Sequence, residues 1–221
     1  MRCMRRCDRR VIEGVVDPDL ELLERWRTGD KRAGNELYQR HFVDVSAFFA
    51  LRFPSAQEDL IQETFLGLVK AVERFEGRSS FRTYLFRIAR NVFCEAMRRR
   101  MRPHRTFDPF VDSIAEASGR TVSSAVAQNE SLQLLLNALL LIPCEMQDLL
   151  ELYYFQELKV AEVAEVLEIL PNTVKSRLGA ARKRLLDKYL ELAGDSATLL
   201  GDEQLEEGLR RVREPVLRGT P

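Results

Sequence analysis

Glycine and proline are scarce, 11 and 8 of 221 residues, and no long alternation of β-branched residues occurs. Both absences count against strands and tight turns, and the abundant Leu, Ala, Glu and Arg are strong helix formers. The chain also lacks any charge excess: 34 basic side chains balance 34 acidic ones, so it is not a uniformly basic protein. No apolar run reaches membrane-spanning length. Even "LQLLLNALLLIP" is interrupted by Asn137 and stopped by Pro143, so no membrane insertion is expected. The start "MRCMRRCDRR" is basic, but "VIEGVV" is too short for a signal peptide and is broken by Glu13. The four cysteines (Cys3, Cys7, Cys94, Cys144) show no paired framework, which fits a reducing, cytoplasmic setting. Cys3 and Cys7 with His41 or His104 are the one conceivable zinc set, and their spacing matches no standard site. There is no HExxH, glycine-rich phosphate loop or nucleophile elbow, and the two histidines lie far apart. Neither catalysis nor a cofactor or metal is expected.

What is present is segregated charge. Arg82 to Arg105 holds eight arginines and one acid, Glu95, while Pro171 to Leu190 holds six basic residues against Asp187. Acid gathers in "QEDLIQETF" and in the tail "GDEQLEEG". Two basic surfaces suit a polyanion, and separate acidic surfaces suit something else.

Helical periodicity organises the chain as all-α, two small helical domains joined by a flexible linker. Residues 1–18 form a basic N-terminus expected to be disordered. Residues 19–105 form the first domain, 106–129 a Ser- and Ala-rich linker, 130–189 the second domain, and 190–221 an extension. In the first domain, Ser55 three residues before Glu58 predicts a capping box for a helix from about Ala56 to Phe75. Its inward stripe is Ile61, Phe65, Leu68, Val72 and Phe75. Asp59, Gln62, Glu63 and Leu66 face outward, Leu66 being a leucine framed by acids. A solvated face and a protein-binding face both fit that pattern.

The stretch "FEGRSSFRTYLFRIARN" interleaves aromatics with arginines. Gly77 ends the preceding helix and Ser79 or Ser80 can cap the next. Phe81, Leu85, Ile88, Ala89, Val92 and Ala96 share one stripe. Arg82, Phe86, Arg87 and Arg90 fall opposite, with Tyr84 at the border. Phe86 among arginines on a wet face suits single-stranded nucleic acid, whose bases stack on rings while guanidiniums hold phosphates. Stacked Arg–Phe pairs on an idle surface give the same pattern. In the second domain, "KVAEVAEVLEILPNTVKSRLGAARKRLLDKY" has the layout of a helix-turn-helix. Val160, Val163, Ala164 and Leu167 point inward from the first helix, and Val174, Leu178, Ala181 and Leu185 from the second. Thr173, Lys175, Ser176, Arg177, Arg182 and Lys183 are left outside or flanking. A basic helix packed in a bundle is the plainer alternative.

The order of acidic–apolar helix, aromatic–arginine helix, linker and helix-turn-helix resembles bacterial RNA polymerase sigma factors of the extracytoplasmic-function (ECF) group of the sigma-70 family. The segments that carry it are "RTGDKRAGNELYQRH", "EDLIQETFLGLVKAVERFEGRSSFRTYLFRIARNV" and "LKVAEVAEVL…NTVKSRLGAARKRL". The resemblance implies an alternative sigma factor that binds core RNA polymerase and directs promoter recognition and melting. Residues 19–105 would be region 2-like and 130–189 region 4-like. Asp59, Leu60, Gln62, Glu63, Phe65 and Leu66 would dock on the polymerase clamp helices. Arg78, Ser79, Ser80, Arg82, Tyr84, Phe86, Arg87, Arg90 and Asn91 would hold the unpaired minus-ten strand. Thr173, Lys175, Ser176, Arg177, Arg182 and Lys183 would read the minus-thirty-five duplex. An anti-sigma factor is a further expected partner.

The sequence departs from the family at Tyr84, where tryptophan is usual, and at Glu168, where glycine is usual. Leu170 takes the place of a Ser-type cap, and Gly179 and Ala180 the place of larger residues, so altered minus-thirty-five recognition is expected. Two rival readings are a helix-turn-helix regulator acting without polymerase and a degenerate sigma-like interaction module. The first leaves the acidic–apolar and aromatic–arginine helices without a role.

Overall fold

Asp17 opens the first helix: its carboxylate accepts from the Asp19 N–H at 3.0 Å, and Pro18 supplies the first helical residue without an N–H to lose. Asp30 repeats the device for the second, accepting from Arg32 N–H at 3.0 Å and Ala33 N–H at 3.3 Å. The computed structural model describes residues 11–12, 15–100, 106–114, 130–194 and 204–211. The first domain comprises α1 (Pro18–Arg27), α2 (Lys31–Ala50), α3 (Gln57–Ala71) and α4 (Phe81–Arg100). A short 3-10 turn, Val72–Arg74, follows α3. The second domain comprises α5 (Glu130–Leu141), α6 (Cys144–Leu150), α7 (Val160–Leu167) and α8 (Pro171–Ala193). α6 runs on into one π-helical turn, Glu151–Phe155. A last helix, α9, spans 204–211.

Within the first domain α1 packs on α2, α2 on α3 and α3 on α4. In the second, α5, α6 and α7 all pack on α8. Arg27 fastens the end of α1 to the 3-10 turn, its Nε and Nη2 donating to the Val72 carbonyl at 2.9 and 2.6 Å and Nη2 also to that of Phe75. Buried inside α1–α2, His41 Nε2 lies 2.6 Å from Asp19, so it is committed to the fold. Burial pushes the Asp19 carboxyl up, but His41 and Arg40 outweigh it and hold it below the ordinary range. Cys3 and Cys7 lie outside the described residues.

Three expectations about local structure need correction. The all-α architecture holds, but in the segment expected to be disordered β1 (Val11–Ile12) and β2 (Val15–Val16), two residues each, pair as a short hairpin, the one strand pair among the described residues. The capping box at Ser55 does not form: Ala56 is the N-cap of α3, with no side-chain bond, and the Ser55 hydroxyl accepts from Arg100 at 3.3 Å instead. The first part of the linker is ordered as well. Phe107 and Ile114 are buried, and Cys144 and Glu145 donate their backbone N–H to the carbonyls of Asp112 and Pro109, each at 2.9 Å. Residues 115–129, the rest of the linker, lie outside the described residues.

The two domains meet. α4 packs directly on α7, and Arg52, in the turn after α2, reaches Asp148 on α6 at 2.6 Å with both side chains buried. The Arg52 guanidinium is held between the rings of Phe48 and Phe93, 3.9 and 4.3 Å from their centroids.

Candidate nucleic-acid and partner interfaces

On α3 the outward face is as expected. Asp59, Gln62 and Leu66 are exposed, Leu66 at 57%, and Val69 extends the apolar strip one turn further. Glu63 carries an exposed ion pair with Arg99 at 2.9 Å, and Phe65 is half-buried against Tyr38, their centroids 4.5 Å apart. Leu60 is a correction: it is 3% exposed and belongs to the first domain's core, so it offers nothing to a partner.

α4 departs further from expectation. Of the two candidate caps it is Ser80 that serves, its Oγ accepting from the Thr83 N–H at 3.0 Å. Gly77 takes φ +69, three residues past the end of the 3-10 turn. Phe86, expected on the wet face, is 0% exposed, packed 5.8 Å from Phe48 with the Arg82 guanidinium 5.2 Å from its centroid. The helical wheel assumed one dry face, whereas α4 is dry on two. Phe86, Phe93 and Met97 form a second buried stripe at helical spacing. Tyr84 is also committed, its ring 4.6 Å from Phe75 and its hydroxyl donating to the Ala71 carbonyl at 3.4 Å. No free aromatic platform is left on this helix.

The arginines around Phe86 reach across to the second domain. Arg82 Nη1 donates to the Gln156 carbonyl at 2.7 Å, while Nη2 pairs with Asp44 on α2 at 3.1 Å. Arg90 Nε donates to Asp148 at 3.0 Å, and Arg87 pairs with Glu168 in the turn between α7 and α8. Burial lowers the affinity of Arg90 for its proton, but the charge and hydrogen bond of Asp148, with the nearby Cys94 and Glu145, together outweigh it and raise that affinity above the ordinary value. Arg78, Ser79, Ser80 and Asn91 lie clear of these contacts; Arg78 is exposed and paired with Glu76.

The helix-turn-helix is formed by α7 and α8. Glu168 adopts φ +58, the left-handed conformation for which glycine is the usual choice, and exposed Leu170 occupies the N-cap of α8 with no side-chain bond. Val163, Ala164, Leu167, Val174, Leu178, Ala181 and Leu185 are buried. Lys175, Ser176 and Lys183 are exposed and Thr173 is half-buried, its carbonyl accepting from Ser176 Oγ at 3.0 Å. Arg177 and Arg182 are engaged. Arg177 pairs with Glu145 and lies 5.4 Å from the Phe110 ring, whereas Arg182 pairs with Glu206 of α9 and donates to Tyr154 Oη at 3.2 Å. The extension packs through Leu205 and Leu209, both fully buried. Val212, at the same helical spacing in the sequence, lies outside the described residues.

Residues 37–103 match the model of Sigma-70 region 2, and residues 132–185 that of Sigma-70, region 4. The chain belongs to the sigma-70 family.

Its relatives place it in the ECF group. It is 29% identical to the ECF RNA polymerase sigma factor SigM of Bacillus subtilis (strain 168) over 157 residues, 70% of this chain and 94% of that protein. It is 28% identical to the ECF RNA polymerase sigma-E factor of Escherichia coli (strain K12) over 183 residues, 79% of this chain and 95% of that one. Among solved structures it resembles CnrH in complex with the cytosolic domain of CnrY. The TM-score is 0.54 at 22% identity, covering 80% of this chain and 99% of that one. It is therefore an alternative sigma factor, directing transcription initiation with core RNA polymerase and promoter DNA as partners. Among the described residues no helix is long and apolar enough to cross a membrane, and no cluster could hold a metal ion.

Sequence reasoning missed Arg52, Asp148, Glu151 and Gln156, which build the contact between domains. The available signals were an arginine inside the aromatic run "FFALRF" and acids inside the apolar run "MQDLLELYYF". Charges so placed are buried only with a partner.

Proposed function

We propose that this sigma factor divides its task among three surfaces. Asp59, Gln62 and Leu66, with Glu63 and Phe65 beside them, dock on core polymerase. The arginine side of α4 (Arg78, Arg82, Arg87 and Arg90, with Ser79, Ser80 and Asn91) holds the unpaired minus-ten strand. It does so mainly through phosphates, because Phe86 and Tyr84 are packed into the protein. Thr173, Lys175, Ser176 and Lys183 meet the minus-thirty-five duplex, and Arg177 and Arg182 join them only on leaving Glu145 and Glu206. The observation that carries this reading is the apolar strip of Leu66 and Val69 open to solvent between acids on α3, beside a helix whose arginines share one side. The protein acts in the cytoplasm and carries out no catalysis of its own. An inhibitory anti-sigma partner is part of the reading, supported by the fold it shares with CnrH, whose solved structure holds the cytosolic domain of CnrY.

The test is transcription by bacterial core polymerase with this protein added, using fragmented DNA of its host as template. Discrete new transcripts are expected. Asp59→Arg with Leu66→Ser, both at exposed positions, should abolish binding to core polymerase while helicity stays unchanged. Core binding that survives this pair would overturn the α3 assignment.

A further inference from the structure

Two side chains at opposite ends of α1 close on the two ends of one loop. At the C-terminal end Arg27 donates to the carbonyls of Val72 and Phe75, where the 3-10 turn runs out and its last carbonyls lack helical partners. At the N-terminal end Asp17 caps α1 with one carboxylate oxygen and accepts from the Phe81 N–H with the other, at 3.3 Å. Between the buried rings of Phe75 and Phe81 run residues 76–80, which carry Arg78, Ser79 and Ser80. We propose that α1 is the strut that sets the shape of this loop, with Arg27 and Asp17 as positioning residues for capture of the unpaired minus-ten strand. They act through the loop backbone rather than on the strand. This rests on the strand-binding role given to Arg78, Ser79 and Ser80 under Proposed function.

The strut is itself fixed. Trp26 lies so close over Gly34 that a Cβ there would come within 2.8 Å of the indole, and Asp19 meets His41 and Arg40 of α2 at 2.6 Å each. α1 runs ten residues, so its two ends stand about 15 Å apart, and it packs on both α4 and the 3-10 turn. The residue types suit the task. A guanidinium presents its donors in one rigid fork, so Arg27 takes both carbonyls and Glu24 at 3.1 Å besides, which an ammonium could not do. A carboxylate has two acceptor oxygens, one for each helix start, and neither Ser nor Asn supplies two. Within the loop Gly77 takes φ +69, and Arg78 stays exposed beside Glu76. A loop ordered in advance loses less freedom when the strand arrives, and binds it more tightly for that reason. None of these bonds involves Asp59, Gln62, Leu66 or Val69, so docking on polymerase does not depend on them.

The experiment compares three changes in the full chain. Arg27→Lys keeps the charge and the stem but not the fork, and Asp17→Ser keeps a cap for α1 but is too short to reach Phe81. Arg78→Ala with Ser79→Ala changes the loop itself. Each protein is assembled with bacterial core polymerase. Its affinity for an oligonucleotide carrying the unpaired minus-ten strand of a responsive promoter is read by fluorescence anisotropy, beside core affinity and helicity. Arg27→Lys and Asp17→Ser should each lower strand affinity about tenfold, as the loss of one charge-assisted contact would, at unchanged core affinity and helicity. If Arg27→Lys lowers helicity, Asp17→Ser takes its place in every comparison. Combined with the loop pair, Arg27→Lys should add less than its own tenfold, because it acts through side chains already removed. Losses that multiply in full would make Arg27 a contributor to the fold alone and overturn the proposal. Strand affinity unchanged in both α1 variants, while the loop pair loses it, overturns the strut and leaves the loop assignment standing. A loop pair that binds the strand as the parent does overturns the assignment of Arg78 and Ser79, and the strut with it.

Discussion

Arg52 stands between two phenyl rings with its Nη1 on Asp148, and among the described residues its Nη2 has no hydrogen-bond partner. A buried pair of this kind adds little net stability over an apolar one, but removing one member strands the other. Asp148→Ala would leave both Arg52 and Arg90 without their carboxylate, and is expected to cost about 3–5 kcal/mol in thermal or denaturant unfolding. Asp148→Leu should cost no less, because the loss comes from the orphaned charges. A loss below about 1 kcal/mol would mean that water reaches this contact. Glu151, beside the same pair, works in the opposite sense. Burial pushes its carboxyl up to about 7 from an ordinary 4.5, against the pull of Arg52 and the Gln156 hydrogen bond, with the Asp148 charge adding to the rise. A group that holds its proton more tightly when folded contributes its full share of stability below the unfolded value. That share is lost as pH rises through the folded one. The protein should therefore lose stability between about pH 4.5 and 7 on account of Glu151. Glu151→Gln, which keeps the acceptor for Gln156, should be more stable than the parent by about 3 kcal/mol near pH 8 and no more stable below pH 4.5. Melting curves at the two pH values check this, and an equal gap at both would exclude titration of Glu151 as the cause.

Among the elements, α7 and α8 were the most legible in the sequence, because a helix packed on one side writes its period plainly. Of the eight residues expected inward, Val163, Ala164, Leu167, Val174, Leu178, Ala181 and Leu185 are buried and Val160 is half-buried. The irregular turn was legible too, since Glu168 and Leu170 stand where a positive φ and an N-cap are needed. α4 was only half legible. Its first stripe read correctly, but Phe86 depended on what lies across the helix, and local pattern does not carry a contact such as that with Phe48 on α2, distant in sequence. The outward face of α3 was visible as acids around Leu66, whereas Leu60 was assigned by resemblance and proved to be core. The departures at α8 also set a stability prediction. A side chain at Gly179 would meet no atom within 4 Å, and Leu170 is 73% exposed at an uncapped N-terminus. Gly179→Ala and Leu170→Ser should each stabilise the protein by about 1 kcal/mol, and together by about 2, since the sites lie far enough apart to add. Chemical denaturation reads this directly. A loss on Gly179→Ala would show that the glycine is needed for something other than the helix.

For the whole molecule, the arginine side of α4 is in contact with the second domain, and under the function proposed above a promoter strand would use the same side chains. Substitutions on the two sides of the contact must therefore differ. Glu168→Gly releases α4 without altering it, so the opened protein should support promoter opening at least as well as the parent. Arg82→Ala with Arg87→Ala loosens the same contact from the other side and removes two phosphate contacts at once. In the free protein this pair should broaden the interdomain distance much as Glu168→Gly does. On core polymerase it should bind normally, because the α3 strip is untouched, yet form open complexes at least about tenfold less well, two charge-assisted contacts being worth more than 1.4 kcal/mol. Permanganate footprinting of unpaired thymines on a responsive promoter separates the two effects. Equal promoter opening by the two variants would show that these arginines serve the contact between domains alone. Reduced opening by both would place the strand contact on the second domain's acidic side, where nothing in its charge favours it.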